Sequence, residues 1–105
     1  MEVKAVRDIK HSRIALVDEN GKEVGKVMVS VEYGIVTLNH TQLDPSLQGT
    51  GLGIKLIDEA VAYAKENNYK INSKCPYGKK MLLRNQERYG VDVMAQPLDE
   101  TDDFF

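Results

Sequence analysis

A single cysteine, Cys75, stands in this chain of 105 residues, so no disulfide can form within it. Histidine is nearly as scarce: His11 and His40 lie far from each other and from Cys75, without the spacing that metal ligands need. No apolar run approaches the roughly 20 residues of a membrane-spanning helix. The opening residues Met1-Glu2-Val3-Lys4 hold no apolar signal stretch, and a cytoplasmic protein is the expectation. A surplus of positive charge is missing too. The net charge is −2; without the acids Asp99, Glu100, Asp102 and Asp103 near the C-terminus it becomes +2. Nucleic-acid binders show a concentrated basic face, so neither nucleic acid nor a membrane is an expected partner. Lys74, Lys79 and Lys80 do gather around Cys75, either as a solvated group or as a patch facing a phosphate. What is present is an ordinary globular composition, 42% apolar and 29% charged. The length suits one domain, expected over residues 1–95 with an acidic tail at 96–105, as a monomer or weak dimer.

Hydropathy supplies the layout. Arg13–Val17 is short and apolar and runs into Asp18-Glu19-Asn20-Gly21. Asn-Gly there predicts a hairpin turn with positive φ at both central positions. In a second strand, 24–31, Val27, Val29 and Val31 alternate with Lys26, Met28 and Ser30, the period of a half-buried strand. Glu32-Tyr33-Gly34 makes the next turn, and Ile35–His40 a third strand with Val36, Leu38 and His40 on one face. A strand over Val3–Asp8 completes an antiparallel meander. Then the period changes. Leu52, Leu56, Ile57, Ala60, Val61 and Ala64 recur at helical spacing, and Asn67-Asn68 suit a helix end. Tyr69–Ser73 alternates as a strand. Pro76 can open a helix, which is predicted over Lys79–Arg88, with a last short strand at Val91–Val93. A strand–helix–strand unit implies a right-handed crossover and a parallel pair. The predicted fold class is therefore α+β, a mixed and mostly antiparallel sheet with a β-α-β crossover, backed by two helices.

The segment Gln48-Gly49-Thr50-Gly51-Leu52-Gly53 lies between strand and helix. Glycines permit positive φ and leave the backbone approachable. The first amides of a helix lack partners and point outward. With the helix dipole they make an anion site, to which Thr50 would add a hydroxyl donor or an N-cap. The segment lacks the Gly-Lys-Ser/Thr of a nucleotide P-loop and the Gly-x-Gly-x-x-Gly of a dinucleotide fold. A tight turn with no ligand is the other reading of these glycines.

These residues resemble the Gln/Arg-x-x-Gly-x-Gly/Ala pyrophosphate loop of the GNAT superfamily of N-acetyltransferases. His40-Thr41 on the strand before it, Pro45 in the link and Cys75-Pro76-Tyr77 after the next strand extend the resemblance to a subgroup of very small GNAT-like proteins. It covers roughly Ile35 to Tyr89. It implies acetyl-coenzyme A as cosubstrate and an amine, small-molecule or protein, as acceptor. It also implies that pantetheine lies along Leu38, Asn39, His40, Thr41 and Leu43. Gln48, Gly49, Thr50, Gly51, Leu52 and Gly53 would surround the pyrophosphate, with Tyr77 near the coenzyme and Cys75 near the acetyl group. Larger relatives insert two helices after their first strand to shape the acceptor site; the stretch between Val3 and Arg13 leaves no room for them. That departure keeps a second function open, an acyl-CoA-binding or protein-interaction module without turnover.

Two residues are candidate catalysts. Cys75 is either an inert buried thiol or a nucleophile whose thiolate fraction Lys74, Lys79, Lys80 or the following helix N-terminus would raise. His40 is either a packed strand residue or the acceptor of the attacking amine's proton, since imidazole titrates near neutrality. Tyr77 and Tyr89 are core or rim residues, or donors to the departing coenzyme thiolate as a tyrosine is in many GNAT enzymes. No metal site is expected.

Overall fold

The computed structural model describes residues 2–95; the expected acidic tail lies outside them. Five strands form one sheet in sequence order: β1 (Val3–Asp8), β2 (Arg13–Asp18), β3 (Glu23–Glu32), β4 (Ile35–Leu43) and β5 (Lys70–Ser73). The first four are antiparallel and β5 lies parallel to β4. The crossover between them is helix α1 (Ile54–Glu66), and α2 (Pro76–Arg84) and α3 (Gln86–Tyr89) follow β5. The α+β class and the parallel pair stand as expected.

One sheet face carries the core. Ile14, Leu16, Val27, Val36, Leu38 and Ile71 point to it from four strands, and Leu56, Ile57, Ala60, Val61 and Ala64 meet them from α1. Each fully buried aliphatic side chain contributes up to about 1.5–3 kcal/mol. The helix ends as its sequence indicates: Asn67 caps it and Asn68 takes φ +59°.

Four local expectations are corrected. In the β2–β3 turn only Gly21 has positive φ, because the Asp18 carboxylate accepts the N–H groups of both Asn20 and Lys22 at 2.9 Å and holds Asn20 out of that region. The helix predicted over Lys79–Arg88 begins at Pro76 and breaks at Asn85, whose side-chain amide donates to the Met81 carbonyl. Val91–Val93 is a 3-10 turn, and the residue that reaches β5 is Met94, bridged to Ile71. Finally, Val36, Leu38 and His40 do not share a face. Met28 pairs with His40 but Val29 pairs with Leu38, so Asn39 is an extra residue, a β-bulge. Val36 and Leu38 are buried while Asn39 and His40 are exposed.

Arg7 fastens β1 to α1. Its Nε donates to Glu59 at 2.5 Å and its terminal nitrogens to both Glu66 oxygens at 2.7 Å. Hydrogen bonding to Arg7 holds the Glu66 carboxyl below its usual range, and Arg13 does the same for Glu23. A carboxyl depressed in the folded state binds fewer protons than in the unfolded chain, so its contribution is present above the unfolded pKa and lost as pH falls through the folded one. Melting temperature should therefore hold above about pH 5 and fall steadily below the ordinary glutamate pKa of about 4.3. Arg7→Ala should make that acid-side fall shallower; an unchanged profile in the variant would refute the assignment.

Candidate active site

The β-bulge re-aims β4. Up to Leu38 the strand is paired on both sides, by β3 and by β5. There the pairing with β5 stops, because Lys74 and Cys75 both direct their N–H groups at the Leu38 carbonyl, at 2.8 and 3.3 Å. His40–Leu43 pairs with β3 alone. Past the bulge, Thr41 pairs with inward-facing Val27 while His40 pairs with Met28, on the sheet face away from the helices. The adjacent pair thus sends one side chain to each face.

The Gln48–Gly53 loop follows a short 3-10 turn, Pro45–Leu47, capped by the Asp44 carboxylate through the Ser46 N–H. Within the loop the Thr50 hydroxyl donates to the Leu47 carbonyl at 2.6 Å and accepts the Leu52 N–H at 3.2 Å. Thr50 is therefore a brace inside the loop; the N-cap of α1 is Gly53, without a side-chain bond. The N–H groups of Gly49, Gly51 and Gly53 have no partner among the described residues. Gly49 and Gly51 take φ of +83° and +79°, and no atom lies within 4 Å of where their Cβ would stand. Their missing side chains therefore leave open space before the backbone. Gly53 serves otherwise: its Cβ would stand 2.7 Å from the Tyr77 Oη and 2.8 Å from Leu43 Cδ1. The loop, β4 and the first turn of α2 meet there.

Cys75 is the N-cap of α2 and only 6% exposed. Its Sγ accepts the Gly78 N–H at 3.2 Å and lies 3.1 Å from the Thr41 Oγ1. Ser73 Oγ donates to the Cys75 carbonyl at 2.8 Å, fixing the turn into the helix. Lys74, Lys79 and Lys80 make no ion pair among the described residues. Tyr77 is half-buried, and burial, then Cys75 and Asp58, raise its hydroxyl pKa. Tyr89 has a different occupation. It is buried and donates to Asp58 at 2.6 Å, beside the Arg88 guanidinium, which ties α3 to α1. Burial and then that carboxylate hold its hydroxyl well above the phenol range, and its proton is committed to Asp58.

The candidate residues thus divide. Thr41, Leu43, Gly53, Cys75 and Tyr77 come together at one junction, with the Gln48–Leu52 loop leading from it and His40 on the sheet's far face. One member went unread in the sequence. Gly78 is required because a Cβ there would stand 2.5 Å from Ser73 Oγ, 2.9 Å from Leu38 Cδ1 and 3.2 Å from the thiol. Its signal was a glycine in the first turn of a helix, three residues after the cysteine. Asn39 was expected along the pantetheine, but that it forms a bulge had no local signal.

Comparison with known proteins places this geometry. The family described as GCN5-related N-acetyl-transferase matches residues 13–93. No curated protein matches the chain. Among solved structures, a GCN5-like protein from Staphylococcus aureus is 27% identical, with a TM-score of 0.66 over 99% of this chain and 96% of that one. Ard1 from Thermoplasma volcanium is 18% identical, TM-score 0.56, over 75% of this chain and 54% of that one. The ribosomal-protein-S18-alanine N-acetyltransferase from Escherichia coli is 23% identical, TM-score 0.51, over 56% and 38%. The chain spans about half or less of the latter two, which share its fold.

Proposed function

Because this chain belongs to the GCN5-related N-acetyl-transferase family, we propose that it carries an acetyl group from acetyl-coenzyme A to an amine by way of the Cys75 sulfur. One observation supports this reading above the rest: three amides without a partner among the described residues, at Gly49, Gly51 and Gly53, stand at the start of α1 beside the stretch of β4 whose β5-side edge is open. Backbone N–H groups at a helix start suit a diphosphate, and an unpaired strand edge suits the amide groups of pantetheine. Acetyl-coenzyme A supplies an activated acyl group as a thioester; the chain's own residues would bind and direct it.

The Cys75 sulfur, as thiolate, forms a bond to the acetyl carbonyl carbon. The bond to the coenzyme sulfur breaks, and that sulfur keeps the electron pair and takes a proton from water. A neutral amine then bonds to the same carbon, the Cys75 sulfur leaves with its electron pair, and the amine's proton passes to solvent.

Melting with and without coenzyme A tests the binding half. Saturation at a hundred times the dissociation constant adds about 2.7 kcal/mol; an unmoved transition would sink the reading. Release of free coenzyme thiol across a panel of amines tests turnover. A second reading, an acyl-CoA-binding module, draws on the three-residue turn Ile9–His11, which stands where larger relatives carry acceptor-site helices. Tight coenzyme binding with no thiol release from any amine would decide for it.

A further inference from the structure

Thr41 and Cys75 are 34 residues apart, and the structure brings their side chains to 3.1 Å. The sulfur is the only hydrogen-bond partner of the Thr41 hydroxyl among the described residues. We propose that Thr41 is a positioning residue for the Cys75 nucleophile: its hydroxyl, with the Gly78 N–H, seats the sulfur and stabilises it as thiolate. The inference rests on the reading of Cys75 as acyl carrier and names a group that reading does not require.

Three observations carry it. The two groups reach the sulfur from separate elements, the Thr41 hydroxyl from β4 and the Gly78 N–H from the first turn of α2. The seat is shaped for sulfur, since a Cβ on residue 78 would stand 3.2 Å from Sγ and closer still to Ser73 and Leu38. The Asn39 bulge then explains why Thr41 is the residue that arrives: it turns Asn39 and His40 to the far face and brings Thr41 inward, opposite Val27.

The chemistry separates the two donors. An amide N–H can only donate, whereas a hydroxyl donates or accepts by rotation about its C–O bond. With a thiol, the S–H donates to Thr41 Oγ1. With a thiolate, the hydroxyl turns and donates to sulfur, and no heavy atom moves. Hydrogen bonds to ionised groups are the stronger class, so the hydroxyl favours the charged sulfur. Valine matches threonine in shape and removes only this.

The test is alkylation of Cys75 by iodoacetamide at neutral pH, on the full chain without coenzyme, followed by mass. Sulfur displaces iodide, so the rate reads the reactive sulfur directly. Thr41→Val should react at least about tenfold more slowly than the parent, and Thr41→Ser should restore the rate. A Thr41→Val rate equal to or above the parent's, or a Thr41→Ser rate as low as that of Thr41→Val, would overturn the proposal. Should Thr41→Val melt below the assay temperature, Thr41→Ala removes the same hydroxyl with less bulk and carries the comparison. Absence of acetyl on Cys75 after acetyl-coenzyme A treatment of the parent overturns the acyl-carrier reading instead, and the alkylation rates still report on Thr41.

Discussion

Cys75→Ala is expected to lower acetyl transfer at least about a hundredfold, the kind of loss that removing a nucleophile produces, with coenzyme A affinity held within roughly twofold. The affinity half follows from where the thiol sits. Cys75 caps α2 on one side of the junction, while the partnerless amides belong to the loop before α1. Losing the sulfur leaves those amides and their glycines in place. The substitution also removes the acceptor of the Gly78 N–H, which in a buried site costs about 1–3 kcal/mol. Turnover and melting must therefore be measured on the same preparation. Cys75→Ser is the useful companion: it keeps an acceptor for Gly78 and Thr41 but offers a far weaker nucleophile. Parent-like turnover in folded Cys75→Ala would show direct transfer from coenzyme to amine.

Gly51→Val should act in the opposite sense, weakening coenzyme A binding by about tenfold or more while the core stays intact. Gly51 has φ +79°, a conformation that costs an L-residue about 1–2 kcal/mol and a β-branched one more. Its Cβ would meet nothing in the free protein, so crowding is not the source of the damage. The strain would pull φ negative and swing the Gly51 amide, while two methyls would fill the space before it. The comparison is Gly21→Val, at a similar φ of +81° in the β2–β3 turn, also with no atom near its Cβ. Both variants should lose a comparable amount of stability, and only Gly51→Val should lose coenzyme affinity, as titration calorimetry would register. Equal affinity in the two variants would remove the loop from the site.

Much of this was legible because it is local. The alternation of Val27, Val29 and Val31, the helical spacing from Leu56 to Ala64, the stop at Asn67-Asn68 and the glycines at 49 and 51 are each set by a few neighbouring residues. Misreadings arose where a single side chain outbid a local rule. The Asp18 carboxylate claimed two amides and changed the turn that Asn20-Gly21 suggests. Asn85 accepted a helix end in the middle of a helix-prone run. His40 was read by counting twos along β4, and one extra residue at Asn39 reverses that count.

By itself, the amino-acid order determined the α+β class, the crossover and the glycine loop that leads into α1. These depend on hydrophobic period and on which residues tolerate positive φ, properties of short segments. Only the tertiary structure decided that β4 loses its β5 partner after Leu38, that Thr41 rather than His40 meets Cys75, and that Gly78 must lack a side chain. Each of these requires the sheet, α1 and α2 to be stacked first. Contacts across 34 residues are selected by packing, which no window along the chain contains.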